Sequence, residues 1–173
     1  DADVIHIGGD ECPKDRWSEC PKCQARIQAE GLKDVHELQS YVTMRMANHL
    51  KKRGRRTMGY DAVLIGGALD ASIQVNWRKP RKRSTVTSAC QAAELGHDVA
   101  LIEDDFAYFD YPQGLANDPC YYIPGRGDIT LEDVYALDPS RGLTAKARPH
   151  LVGAEGCLWS EYIWTRADLE WKT

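Results

Sequence analysis

Val4-Ile5-His6-Ile7-Gly8-Gly9-Asp10-Glu11 is the stretch on which the reading of this chain turns. Val4 to Ile7 is apolar and largely β-branched, which reads as a short strand, and Gly8-Gly9 breaks it. Two adjacent carboxylates follow. Neighbours in a regular strand point to opposite faces, so Asp10 and Glu11 reach one pocket only where the chain bends. The glycine pair supplies that freedom. Crowded carboxylates push their pKa values apart, which suits one charged and one protonated partner. On pattern alone, a solvated acidic turn competes with this reading.

Working outward, strands and helices alternate. Residues 21 to 30 read as a short helix closed by Gly31. Asp34 opens the clearest helix, with Glu37 completing a capping box. Val35, Leu38, Val42, Met46 and Leu50 follow helical spacing, and Lys51 to Arg53 suit the negative end of the helix dipole before Gly54. Thr57 to Tyr60 and Ile73 to Trp77 read as strands, residues 85 to 95 as a helix, and Asp98 to Ile102 as a strand. Residues 103 to 128 form a long aromatic stretch rich in Pro and Gly, a length usually reserved for functional loops. Thr130 caps a short helix, Leu151-Val152 with Gly156 to Trp159 forms the last strand region, and Thr165 with Asp168 starts another helix.

Five strands alternating with helices or loops argue for a parallel α/β sheet. The strand candidates run into polar or aromatic residues: Asp10-Glu11, Tyr60-Asp61, Trp77-Arg78, Tyr108 to Asp110 and Trp159 to Glu161. Active sites of (β/α)8 barrels lie at the C-terminal ends of the strands, and a complete barrel takes about 250 residues. The expectation is therefore an incomplete (β/α)8 barrel with about the last five strands. Residues 1 to 173 are read as its C-terminal part, with no second domain.

Composition narrows the function classes. Lys plus Arg number 22 against 26 Asp plus Glu, a formal charge of −4, which argues against a nucleic-acid partner read from bulk charge. Apolar residues make up 43%, enough to bury a core. No run approaches the roughly 18 apolar residues of a membrane span. The chain begins at Asp1 with no secretory signal and enters a strand almost at once, so it reads as part of a longer protein.

Six cysteines permit disulfides without demanding them. Cys20-Pro-Lys-Cys23 is a C-x-x-C knuckle, open to three readings: half a zinc site with Cys12 as a third thiolate, a local disulfide, or unpaired small residues. No fourth zinc ligand is visible, so neither a metal nor a cofactor is assigned.

The segment from His6 to Glu11 resembles the signature of glycoside hydrolase family 20, the β-N-acetylhexosaminidases: a strand ending in His-x-Gly-Gly-Asp-Glu, matched here at all five specified positions. The likeness continues in order. Gly59-Tyr60-Asp61 resembles the family's Gly-Trp-Asp, Gln74 to Trp77 its next strand, Tyr108-Phe109-Asp110 its Tyr-x-Asp, and Trp159-Ser160-Glu161 its Trp-x-Glu. It covers residues 4 to 163.

What the resemblance implies is retaining hydrolysis of terminal N-acetyl-β-hexosamine residues without an enzyme nucleophile. The substrate's own acetamido oxygen attacks the anomeric carbon and forms an oxazolinium ion; the family is a known exception to the two-carboxylate scheme. Glu11 would be the general acid and then base, and Asp10 would orient the acetamido group. An attacking amide oxygen makes its N–H acidic, so a nearby carboxylate is worth most in the transition state. A Glu in an apolar aromatic pocket would stay protonated as acid. Trp77 and Trp159 would wall the sugar pocket, Tyr108 would hold the acetamido oxygen, and Asp110 and Glu161 would accept from ring hydroxyls. Tyr60 stands where the family has Trp, and His6 would support the motif. The expected partners are N-acetylhexosamine glycans and the upstream half of the same barrel, whose Arg and His–Asp pair are absent. The chain alone is therefore expected to be nearly inactive and prone to self-association through open sheet edges. A secreted or periplasmic bacterial location follows from the family's glycan substrates and the cysteine count. The competing readings are a catalytically silent sugar-binding barrel, against which the intact Asp10-Glu11 pair counts, and a zinc-stabilised structural domain.

Overall fold

The structure is a computed structural model that describes residues 2–60, 73–76, 88–114 and 127–173. Five strands, β1 (Val4–His6), β2 (Arg56–Tyr60), β3 (Ile73–Asn76), β4 (Asp98–Leu101) and β5 (Leu151–Ala154), form one sheet in the order β1-β2-β3-β4-β5. Every neighbouring pair is parallel. Parallel neighbours need a crossover between them. Among the described residues α1 (Asp15–Glu19), α2 (Pro21–Glu30) and α3 (Val35–Lys51) lie between β1 and β2, α4 (Ser88–Glu94) between β3 and β4, and α5 (Leu131–Tyr135) between β4 and β5, while α6 (Arg166–Lys172) follows β5. The parallel α/β reading is thus borne out. Among the described residues the sheet is open, with β1 and β5 at its edges.

β4 has a packed layer on each side. Its side chains alternate, as a strand requires. Val99 and Leu101 pack on Ala89, Cys90, Ala92 and Ala93 of α4, with Leu143 and Ala147. Ala100 and the following Ile102 face Ala107, Tyr108, Tyr111 and Ile129, flanked by Met58, Tyr60 and Cys157. The alanine face of α4 has no long side chains to hold it off the sheet. At the opposite strand ends, Arg56 and His150 both bind the Asp98 carboxylate, tying the starts of β2, β4 and β5 across the sheet.

The caps follow the local sequence. Asp34 accepts from the N–H groups of His36 at 2.8 Å and Glu37 at 3.0 Å and opens α3. The expected capping box is displaced by one residue. Glu37 accepts from the N–H of Lys33 at 2.8 Å, one residue before the cap, because the Lys33 ammonium at 3.2 Å draws its carboxylate outward. Thr130 with Asp133 and Thr165 with Asp168 form complete boxes.

The structure changes two further readings and adds one helix. The buried side of α3 is Leu38, Gln39, Ser40, Thr43 and Ala47, whereas Val42 and Met46 are exposed. Met46 and Leu50 instead flank a groove with Ile5 and Ile7, beside β1 where the described sheet has no further strand. Gly156 to Trp159 does not extend β5; beyond Ala154 only a single parallel bridge from Cys157 to Tyr108 continues the pairing, and residues 160–162 turn into a 3-10 helix. α1 had no signal in the sequence reading; at five residues it is too short to show helical periodicity.

Candidate active site

Parallel pairing in register brings all the C-terminal strand ends to one edge of the sheet. Beyond β1, the N–H of Ile7 donates to Met58 at 2.9 Å, the last ladder contact before the chain leaves the sheet. Gly8 and Gly9 then adopt φ of +69° and +107°, and Glu11 φ of +45°, the one non-glycine positive φ among the described residues. A left-handed residue with a Cβ costs on the order of 1–2 kcal/mol, so the turn persists only because its surroundings hold it.

Four contacts do so. The N–H of Tyr60 donates to the Gly8 carbonyl at 2.9 Å, and the N–H of Gly8 donates to Nδ1 of His6 at 3.0 Å. The second contact puts the His6 ring proton of the neutral side chain on Nε2. The buried Gln39 of α3 donates its amide to the Gly9 carbonyl at 2.7 Å. Lys14 donates to the Cys12 carbonyl at 2.9 Å, just beyond Glu11. His6 makes this contact from an exposed position rather than from the core. Its ring also stacks edge-on against Tyr60, with centroids 4.6 Å apart.

Tyr60 links the turn to the rest of the edge. Burial raises its phenol pKa, and the charges of Asp10, Cys157 and Glu155 add to the shift. Asp10 is half-buried and Glu11 exposed. The apolar enclosure expected around Glu11 is not built by the described residues, because β1 has a neighbour on one side only.

Across the sheet, Tyr108 is buried between two rings, Tyr111 at 5.4 Å and Trp159 at 6.2 Å. Burial pushes its phenol pKa far up, with Cys157 and Asp104 adding to it and a hydrogen bond from Trp159 opposing it. The Tyr108 hydroxyl is therefore a proton donor throughout the neutral range. The loop carrying it is stitched to the strand after β5: the N–H of Cys157 donates to Ala107 at 2.7 Å, and that of Phe109 donates to Cys157 at 2.8 Å. Asp110 is buried in the same loop. The ammonium of Lys172, itself buried on α6, donates to the carbonyls of Asp110 at 3.0 Å and Tyr111 at 2.5 Å. Trp159 is 39% exposed, offering a ring face to solvent beside a buried phenol. Glu161 is exposed on the 3-10 helix that follows. Trp77 and Asp61 lie outside the described residues.

The edge thus carries His6, Asp10, Glu11, Tyr60, Tyr108, Asp110, Trp159 and Glu161, with ring contacts from His6 to Tyr60 and from Tyr108 to Trp159. Three residues join it that sequence reasoning passed over. Gln39 had no signal, being one polar residue on a helix. Cys157 lies between Tyr60 and Tyr108 and its thiol is pushed up to about 12, first by burial and then by Glu155 and Asp110. Asp104 sits just beyond β4 and influences Tyr108; the acidic run Glu103-Asp104-Asp105 at a strand end was the available signal. Glu103 itself is buried and turned to Arg141 at 3.2 Å. Among the described residues no group of three or more His, Cys, Asp or Glu converges as metal ligands.

With this geometry in place, comparison with known proteins is specific. The profile of the glycosyl hydrolase family 20 catalytic domain matches residues 1–173. The β-hexosaminidase of Porphyromonas gingivalis is 39% identical over 164 residues, covering 93% of this chain and 20% of that protein. That of Vibrio furnissii is 30% identical, covering 92% and 25%. Among solved structures, the GH20 exo-β-N-acetylglucosaminidase of Vibrio harveyi, in complex with N-acetylglucosamine, superposes with a TM-score of 0.84 at 26% identity, covering 99% of this chain and 26% of that one. The β-N-acetylhexosaminidase of Bacteroides fragilis gives 0.69 at 31% identity, covering 92% and 31%. The chain therefore spans between a fifth and a third of the length of these relatives.

Proposed function

The chain belongs to glycosyl hydrolase family 20, and from that premise we propose that the protein carrying it removes terminal N-acetyl-β-hexosamine residues from glycans with retention, through an oxazolinium ion formed by the substrate's own acetamido group. The observation that carries this reading is the pinned turn holding Asp10 and Glu11 at the same sheet edge as Tyr60, Tyr108 and Trp159.

In this reading Glu11 protonates the leaving oxygen and then takes a proton from the attacking water. Its exposed position in this chain leaves it open to a substrate arriving over the strand ends. Asp10 faces the acetamido N–H and gains strength as positive charge develops there. Tyr108, protonated at working pH, donates to the acetamido oxygen and holds it for attack. Trp159 and Trp77 offer ring faces to the sugar, and Asp110 and Glu161 accept from its hydroxyls. Tyr60 orders the turn through His6 and closes the acetamido side.

The open sheet fits an incomplete (β/α)8 barrel. The edge of β1, and the groove of Ile5, Ile7, Met46 and Leu50 beside it, would receive the strands and helices that precede it. The enclosure around Glu11 would come from the same part. This chain alone would turn over poorly or not at all and associate through that edge. A secreted or periplasmic site of action would suit glycan substrates.

Release of nitrophenol from 4-nitrophenyl N-acetyl-β-glucosaminide by the intact protein, beside Glu11→Gln, tests the reading. General acid–base assistance is worth about 10²–10⁴-fold, and a loss of that size in the variant is expected. Turnover unaffected by Glu11→Gln would overturn the assignment. No turnover on either the glucosaminide or the galactosaminide would leave a sugar-binding barrel.

A further inference from the structure

The C-x-x-C pair takes no part in the site above, yet it is placed for chemistry of its own. Cys20 closes α1, its N–H donating to Arg16 at 3.0 Å, and is at once the N-cap of α2. Pro21 occupies the first helical position and Cys23 the third. N-cap and third residue are the two positions that a capping box brings face to face, and here both carry sulfur. The elbow is held without them: Gln24 donates its side-chain amide to Trp17 of α1 at 3.0 Å and its N–H to Cys20 at 3.0 Å. Both cysteines are free thiols, each partly open to solvent.

We propose that Cys20 and Cys23 are a reversible thiol–disulfide site, in which Cys20 attacks a low-molecular-weight disulfide and Cys23 resolves the product. The environment divides the roles. The N–H of Cys23 acts most strongly on the Cys20 sulfur, with the Cys23 thiol, the N–H of Lys22 and the Lys22 charge adding to it and desolvation opposing them. Together they hold its pKa below the ordinary thiol value. The positive end of a helix and a neighbouring Lys favour thiolate in just this way. Desolvation and the adjacent Cys20 hold Cys23 above that value, so it stays a thiol until called on. Other described thiols lack this setting. Cys90 is buried in the α4 core, and Cys157 is raised to about 12.

The electron balance is that of thiol–disulfide exchange. The Cys20 thiolate attacks one sulfur of the small disulfide, forming a mixed disulfide and expelling one small thiolate. Cys23 then gives up its proton and attacks the Cys20 sulfur, expelling the second. Two protein thiols become one disulfide, one small disulfide becomes two thiols, and the two protons leave with them. The site is separate from the hydrolase reading and stands or falls without it.

The test equilibrates the intact protein with reduced and oxidised glutathione over a range of ratios, quenches with acid, alkylates with iodoacetamide and maps the peptides by mass. The expected result is an internal Cys20–Cys23 disulfide that rises with oxidised glutathione and disappears under dithiothreitol. Cys20 should also alkylate at pH 7 faster than Cys23, as a larger thiolate fraction at Cys20 requires. Cys23→Ser should trap one glutathione on Cys20. The wild-type mapping stands even if that variant fails to fold. A pair that stays reduced at every ratio, a disulfide that dithiothreitol cannot open, a mixed disulfide mapped to Cys23, or about one bound zinc per chain shielding both thiols would each overturn the proposal.

Discussion

The side-chain amide of Gln39, buried on α3, donates 2.7 Å to the main-chain carbonyl of Gly9, the residue before Asp10. A helix thirty positions along the chain thus holds the turn that carries both carboxylates. Leaving a buried carbonyl unsatisfied costs about 1–3 kcal/mol. Gln39→Leu in the intact protein should lose stability of that order by urea unfolding. On the proposed function it should also lower kcat for 4-nitrophenyl N-acetyl-β-glucosaminide more than it raises KM, because a loosened turn would misplace the proposed acid and leave the proposed sugar contacts in place. Equal stability and unchanged kcat would show that the turn holds itself.

Lys172 makes the matching attachment on the far side of the edge. Its ammonium is buried and donates to the carbonyls of Asp110 and Tyr111. Lys172→Met keeps the stem and removes the donor, leaving two carbonyls short of a hydrogen bond. The expected cost is about 2–3 kcal/mol. Proteolysis should detect release of α6 before global unfolding, and a variant as resistant as the wild type would contradict this.

Gly156 is required by its neighbour and not by its own backbone. A Cβ placed there would come within 2.5 Å of Phe109 Cε2 and 2.8 Å of Cζ. The main chain of Phe109 is held to Cys157, so the ring can give way only by turning about its own side-chain bonds. Gly156→Ala should destabilise by about 1–3 kcal/mol through overpacking, a drop of about 2–12 °C in Tm for a chain of this size. An unchanged Tm would mean that the ring has room to turn.

The pH dependence follows from Asp98. Burial works against its ionisation, but the hydrogen bonds from Arg56 and His150 outweigh it and lower its pKa. A carboxylate with a lowered folded pKa adds stability above its unfolded pKa of about 3.9, and that stability is lost as pH falls through the folded value. The pair with Arg56 is partly exposed, so solvent screening limits the gain to about 1 kcal/mol or less. Asp98→Asn should reduce stability at pH 7 by that amount and flatten the loss below about pH 4. Equal slopes in acid for variant and wild type would count against the account.

Much of this molecule was legible locally. The Gly8-Gly9 break, the Asp34 cap and the boxes at Thr130 and Thr165 depend on residues within four positions of one another. The strands were legible because four-residue runs with β-branched members, each followed by a polar end, carry their own period. Failures came where distant residues compete. Glu37 turned to Lys33 instead of completing the box, since a charge outside the helix outbid the cap N–H. α3 buried its Gln39–Thr43 side and left Val42 and Met46 exposed, because helical spacing tells which residues share a face and not which face the rest of the fold covers.

The sequence by itself determined the parallel α/β alternation and the residues able to do chemistry: a His-x-Gly-Gly-Asp-Glu signature and aromatic-acidic strand ends, readable because period and spacing are local properties of the chain. Tertiary structure alone decided how they are held and what surrounds them. It made Gln39 the clamp on Gly9, brought Cys157 between Tyr60 and Tyr108, buried Tyr108 against Trp159 and left Glu11 in the open. Those facts depend on which strands become neighbours and on how much water each pairing excludes. Neither is set until residues far apart in the chain have met.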